Sequence, residues 1–217
     1  EMSARPHRTF QVLTKRIERV LPWYRAAGPG YRWPPNVWIG TTIEDQKRAD
    51  ELLPVLVRLR MAPVRFVSAE PLLGPVEMSI FLYTGFEPNN PRRGSDAVNW
   101  LISGGESGPG ARPSHPDWYR GLRDQAAAAG VPFMHTQNGV YVHSSDTASW
   151  PAGRVPRGRA YPQVADGNGG YWLRVGKHAA GRLLDGVTHD AFPPSSGPSS
   201  SAVVTRIPGR GCVVSDG

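Results

Sequence analysis

Five short apolar runs, at residues 9–13, 37–40, 64–68, 99–103 and 131–135, constrain this chain more than anything else in it. Each stops abruptly on polar or glycine residues. Runs this short, without polar alternation, are what strands covered on both faces require. The stretches between them predict helices at 15–23, 45–60 and 116–129. In the first, Ile17, Val20 and Leu21 recur at helical spacing. In the second, Asp45 can cap the start and Pro54 is expected to break or kink the helix. In the third, Trp118 and Leu122 share one side and Gly130 is a stop signal. Strand–helix–strand alternation implies βα units, a parallel sheet and an α/β fold.

The rest of the chain is less regular. Residues 70–98 hold turn residues and no clear helix, with a surface loop expected at 89–94. Past Gln137 the sequence becomes loop-rich, and residues 150–170 are crowded with Pro, Gly and Arg. A short helix is expected within 176–186, ending at Gly186. The predicted organisation is therefore a βα unit over 1–140, a loop-rich extension over 141–193, and a disordered Ser/Pro/Gly tail over 194–217. A chain of 217 residues is long enough to enclose a core.

Composition excludes some classes. There is no apolar run of about 18 residues, so no membrane-spanning helix is expected. The start has no signal-peptide pattern, and the single cysteine, Cys212, provides no disulfide framework; a cytoplasmic setting follows. The chain opens on Glu1 and enters a strand-like segment within a few residues, so a truncated start is expected. The formal charge is +7, and only three of the 25 basic residues are Lys. That balance permits a nucleotide or nucleic-acid partner. The arginines are scattered, however (Arg58, Arg60, Arg92, Arg93, Arg154, Arg157, Arg159), which reads as a solvated basic surface.

Chemistry-bearing residues follow directly after the strands. They are Thr14, Lys15 and Arg16; Thr41, Thr42 and Glu44; Glu70; Gly104, Gly105, Glu106 and Ser107; and Thr136 and Gln137. Parallel neighbours would bring them to one mouth, with His135 and Arg112 beside them. Gly104-Gly105-Glu106-Ser107-Gly108 fits neither the dinucleotide fingerprint nor the phosphate loop. Its backbone N–H groups and Arg112 would nonetheless suit a carboxylate or phosphate. Each residue has a structural alternative. Glu44 could cap the helix starting at Asp45. Lys15 and Arg16 could lie on a solvated first turn, where cations oppose the helix dipole. Glu70, extended before Pro71, is the best single acid and could instead pair with Arg16 or Arg112. His135 could be a hydrogen-bonded core histidine. His115 has no partner at ligand spacing and there is no Cys cluster, so no metal site is expected. No nucleophile elbow is present.

Several motifs occur in order: Phe10-Gln11-Val12-Leu13-Thr14-Lys15-Arg16, Trp33-Pro34-Pro35-Asn36-Val37-Trp38-Ile39-Gly40, Ser68-Ala69-Glu70-Pro71-Leu72-Leu73-Gly74-Pro75, the glycine loop, Ala111-Arg112-Pro113 and residues 176–186. Together, over about residues 7 to 193, they resemble the phage-associated family named after phage gene products thirty-seven and sixty-eight, a family of unknown function. Its members look like radical S-adenosylmethionine barrel proteins. The resemblance implies a partial TIM-like barrel of parallel strands, with residues 1–140 as the C-terminal part of the βα barrel, followed by a loop-rich C-terminal extension. It also implies S-adenosylmethionine and a [4Fe–4S] cluster as cofactors. The family's cluster cysteines lie upstream of the region seen here, and Cys212 alone cannot replace them. On this resemblance Gly104, Gly105, Glu106, Ser107 and Glu70 would face the cofactor. Lys15, Arg16, Glu44, Arg112, His135 and Gln137 would face the substrate. One departure stands out: the family ends its last core strand in Lys-Gln-Trp-Gly, and this chain reads Thr136-Gln137-Asn138-Gly139. The leading expectation is a fragment of an enzyme acting on a nucleotide or nucleic acid. The alternatives are a non-catalytic binding module for the same ligands and an inert remnant.

Overall fold

A computed structural model of the chain describes residues 2–82, 96–146 and 161–193, and the backbone of 202–206 and 212–216. The loop expected at 89–94 and the first part of the Pro/Gly/Arg-rich stretch, 150–160, lie outside the described residues. The five apolar runs become β1 (Phe10–Leu13), β2 (Val37–Thr42), β3 (Arg65–Ala69), β4 (Trp100–Ser103) and β5 (Phe133–His135). They pair in parallel and in chain order, β1 to β5. Every residue of β2, β3 and β4 is buried, as unalternated apolar runs require.

The two sheet faces differ. One register row, Thr41–Val67–Leu101–Phe133, lies on the helix-covered side. Ile17, Ile39, Val67 and Leu101 there join Ala49, Leu53 and Leu56 of α2 (Gln46–Leu56) and Tyr119, Leu122 and Ala126 of α4 (Pro116–Ala128) in the main core. Val20 and Leu21 of α1 (Val20–Ala26) pack against the same cluster. The opposite face is aromatic, with Trp38, Phe66 and Trp100 buried together. Gly40 is needed there, because a side chain would overlap the Phe66 ring that lies against it. Phe192 closes on Trp100 at 4.6 Å between ring centroids, and the Trp100 Nε1–H donates to the Ala191 carbonyl at 2.8 Å.

Several boundaries differ from the sequence reading. α1 begins at Val20 after a 3-10 turn over Ile17–Arg19, rather than at residue 15. The Arg16 N–H donates to Thr14 Oγ1 at 3.0 Å and Lys15 reaches toward Glu44, which keeps this stretch out of the helix. Pro54 does not break α2, which runs on to Leu56. Pro54 removes one backbone bond, and the full burial of Leu53 and Leu56 outweighs that loss. Asp45 caps α2 as expected, its carboxylate accepting from the Arg48 N–H at 2.9 Å. Among the described residues of the stretch 70–98 lies one short helix, α3 (Ser79–Leu82).

The extension forms a second, antiparallel sheet from β6 (Tyr141–His143), β7 (Gln163–Ala165) and β8 (Tyr171–Arg174), in the order β6-β8-β7. α5 (Lys177–Ala180) is a single turn, ending where Gly181 takes a φ of 69° rather than at Gly186. Within the tail read as disordered lie two strands, β9 (Ala202–Arg206) and β10 (Cys212–Asp216). β10 pairs antiparallel with β1. At the other edge, the His135 N–H donates to the His189 carbonyl and the Ala191 N–H to the Phe133 carbonyl, at 3.0 and 3.2 Å. Both edges of the five-strand parallel sheet are thus taken by antiparallel segments of this chain. Among the described residues, no helix is long and apolar enough to cross a membrane.

Candidate functional site

The strand ends are laced together by backbone bonds. The Leu72 N–H donates to the Gly104 carbonyl at 3.2 Å, Leu73 to Glu44 at 2.7 Å and Gly105 to Gln137 at 2.8 Å. Convergence of these segments is what parallel order predicts. Their side chains, however, largely satisfy one another. Lys15 Nζ lies 2.6 Å from Glu44 Oε1, so Glu44 is an ion-pair partner and not the cap of α2. Arg16 is exposed and, with Thr14, lines an apolar groove of about 740 Å³ formed by Val12, Trp23, Tyr31, Trp33 and Ile39.

The glycine loop is held from within. The Arg112 Nε–H and Nη2–H donate to Glu106 Oε2 and Oε1, both at 2.9 Å, and the Arg112 backbone N–H adds a third bond at 2.8 Å. These donors hold the Glu106 carboxyl below its usual range. A side chain at Gly105 would overlap the Asn138 carbonyl, and one at Gly104 would overlap the Glu70 carboxylate. Close packing of neighbouring loops therefore accounts for both glycines. Ser107 is exposed beside them. Glu70 accepts from the hydroxyls of Thr136 and Ser68, the latter at 3.4 Å. Arg112, one of its expected partners, is committed to Glu106.

His135 is fully buried, with Nδ1 2.9 Å from Ser103 Oγ and Nε2 2.8 Å from Asn138 Oδ1. Burial pushes its pKa down to about 4. It is the hydrogen-bonded core histidine, not a group facing the mouth. Asn138, where the resembling family has Trp, donates from Nδ2 to the carbonyls of Ala180 and Leu183 at 3.0 and 3.1 Å. It ties β5 to the segment around α5. Gln137 differs from its neighbours: its Oε1 is buried and has no hydrogen-bond partner among the described residues.

A second constellation escaped the sequence. His115, the cap residue of α4, meets His143 at the end of β6 and Asp166 just after β7. One ligand atom from each lies within 4.8 Å of the others. Sequence spacing gave no signal, because the three residues come from separate elements that only the second sheet brings together. Nearby, Arg120 donates to Asp117, Asp146 and Asp185 at 2.6, 2.9 and 2.8 Å. Arg48, Arg60, Arg112, Arg123 and Arg182 also pair with carboxylates. The basic excess is therefore partly neutralised within the protein, while Arg92, Arg93, Arg154, Arg157 and Arg159 lie outside the described residues.

Fold and site together define an α/β protein with a five-strand parallel sheet, one helical face and a polar edge at the strand ends. More particularly, the chain belongs to the family described as Protein of unknown function (DUF5131), which matches residues 1–193. No curated protein and no solved structure matches it.

Proposed function

We propose that the strand-end mouth binds a nucleoside-class ligand, and that the chain is the pocket-bearing part of a cytoplasmic, phage-associated barrel enzyme of the radical S-adenosylmethionine type, acting on a nucleotide or nucleic acid. The winding supports a barrel relationship. Parallel strands in chain order, with α1, α2 and α4 all on one face, are what consecutive right-handed βα crossovers produce. Ligands of such folds bind at the C-terminal strand ends.

One observation carries the reading: the buried, partnerless Oε1 of Gln137, directly beyond β5. An acceptor left in this state costs about 1–3 kcal/mol, and a ligand N–H or O–H would remove the cost. S-adenosylmethionine has such donors in its ammonium group, adenine amino group and ribose hydroxyls. Glu70, which accepts from Thr136, the residue before Gln137, would provide a carboxylate at the same strand end. The implied iron–sulfur cluster does not fit: the chain has one cysteine, Cys212 in β10, and a cluster of this kind needs three thiolates.

Calorimetric titration of the chain with S-adenosylmethionine, a mononucleotide and single-stranded DNA tests the proposal. Binding of the first two is expected, weakened about 10-fold in Gln137→Met, in keeping with one lost hydrogen bond. Absence of binding by the unsubstituted chain, or equal binding by Gln137→Met, overturns it. Salt-sensitive binding of DNA alone would assign the chain to a non-catalytic module instead.

A further inference from the structure

We propose that His115, His143 and Asp166 form a binding site for a divalent transition-metal ion of the zinc class, with a coordination position left open to water or substrate. This inference does not rest on the strand-end ligand.

Two of the donors are spaced for such an ion, and the third, on His115, lies within 4.8 Å of both. His143 Nε2 and Asp166 Oδ2 lie 3.1 Å apart. Two bonds of about 2.0–2.1 Å at a tetrahedral angle would place ligand atoms roughly 3.3 Å apart. Both side chains are almost fully buried, at 3% and 7% exposure, and His115 closes the cluster from its open side at 22%. Buried His and Asp groups gathered in this way are explained by pairing or by a metal. Two imidazoles and one carboxylate suit zinc, nickel, cobalt or iron, whereas magnesium and calcium prefer oxygen alone. Three protein ligands are the number found in zinc sites that keep a position open.

Each ligand is also oriented by a second partner, as metal-bound side chains are. His143 Nδ1 lies 2.7 Å from Ser145 Oγ, which leaves Nε2 facing the cluster. Asp166 Oδ1 accepts from the N–H groups of Asn168 and Gly170 at 2.7 and 2.8 Å, which turns Oδ2 inward. Those donors hold the Asp166 carboxyl below its usual range, so it is ionised. Burial, followed by the neighbouring His143, lowers the pKa of His115 and favours the neutral ring that a metal requires. His115 Nδ1 has both the N–H of Asp117, at 3.2 Å, and its carboxylate, at 3.5 Å, so either tautomer is satisfied. That carboxylate also offsets the positive end of α4, which would otherwise oppose a cation.

The surroundings leave space for an ion and keep out bulk. A side chain at Gly170 would overlap Asp166 Oδ2 and crowd His143 Nε2, so glycine preserves the space beside both ligand atoms. Trp172 stands directly opposite His143 across the β6–β8 pair, with ring centroids 5.1 Å apart, and lies 6.3 Å from His115. A bound ion would therefore link the start of α4 to both outer strands of the second sheet.

The metal-stripped chain, titrated with zinc against a competing chromophoric chelator and separately with cobalt, provides the test. One equivalent of zinc and the intense visible bands of tetrahedral cobalt are expected. Asp166→Asn keeps the Oδ1 acceptor and should weaken binding by at least about 10-fold, the lower end of what even outer-shell changes produce. His143→Ala should abolish the cobalt bands; if it does not fold, Asp166→Asn decides. No stoichiometric metal in the unsubstituted chain, or zinc affinity unchanged by Asp166→Asn, overturns the proposal.

Discussion

At the C-terminal edge of the parallel sheet, Lys15 meets Glu44 and Arg112 meets Glu106, so opposite charges cancel across a short distance. In the second sheet, two imidazoles and a carboxylate face one another, and their other polar atoms are already engaged elsewhere. The first arrangement is largely self-satisfied among the described residues, with Gln137 Oε1 left as a buried acceptor; the second is completed by a positive guest. Polar richness alone is therefore a poor guide to a site. The useful question is which polar atoms remain after the protein's own pairs are counted.

The largest expected effect tests the claim that loop packing explains the glycines at the mouth. Gly105→Ala would drive a methyl group into the Asn138 carbonyl, backbone against side chain with little freedom to yield. A loss of about 3 kcal/mol is expected in chemical denaturation. Gly110→Ala, in the same loop, meets nothing within 4 Å and should stay within about 0.5 kcal/mol. Equal effects would return the loop to the reading of a flexible cradle.

His135 offers a pH test on the mouth side. Its folded pKa, about 4, lies below the ordinary 6.5, so the unfolded chain binds the proton more tightly. The stability it contributes is present above pH 6.5 and is lost as pH falls toward 4, by about 3 kcal/mol. Unfolding free energies measured across that window should fall for the unsubstituted chain and flatten in His135→Gln. A variant with an unchanged slope would show that His135 is not the titrating group.

Much of this frame was legible in the sequence. Val37, Ile39, Phe66, Val67, Leu101 and Ile102 sit in unalternated apolar runs, and such runs fit only strands covered on both faces. Convergence of the segments after them followed from parallel order. Pairing did not: whether Glu106 faces a ligand or turns back on Arg112 depends on loop geometry that residue order does not encode. The His115 cluster was hidden for a related reason. His143 and Asp166 reach it only because β8 lies between β6 and β7, and long-range antiparallel register has no short-range signature here.

On the cluster side, Arg120 holds the frame. Its guanidinium spans Asp117, Asp146 and Asp185, and Asp146 is only 9% exposed. Arg120→Ala should cost about 2 kcal/mol by leaving a nearly buried carboxylate without its charged donor. If His115, His143 and Asp166 bind metal, the same variant should also weaken zinc, because Asp117 would lose the partner that steadies it beside His115. A stability loss with unchanged zinc affinity would separate the frame from the ligands.

The smallest effect belongs to the most exposed pair at the mouth. The Lys15 side chain is 69% exposed, so its contact with Glu44 competes with water and is screened by salt. Lys15→Ala should change stability by no more than about 1 kcal/mol, with a difference that shrinks as salt is added. Its influence on ligand binding should have the opposite ranking. Glu44 would then be released at the strand ends, within electrostatic reach of Arg112, and a cationic ligand should bind more tightly while an anionic one binds less well. If both ligand classes respond equally, Lys15 and Glu44 lie outside the pocket, and the mouth narrows to Glu70, Thr136 and Gln137.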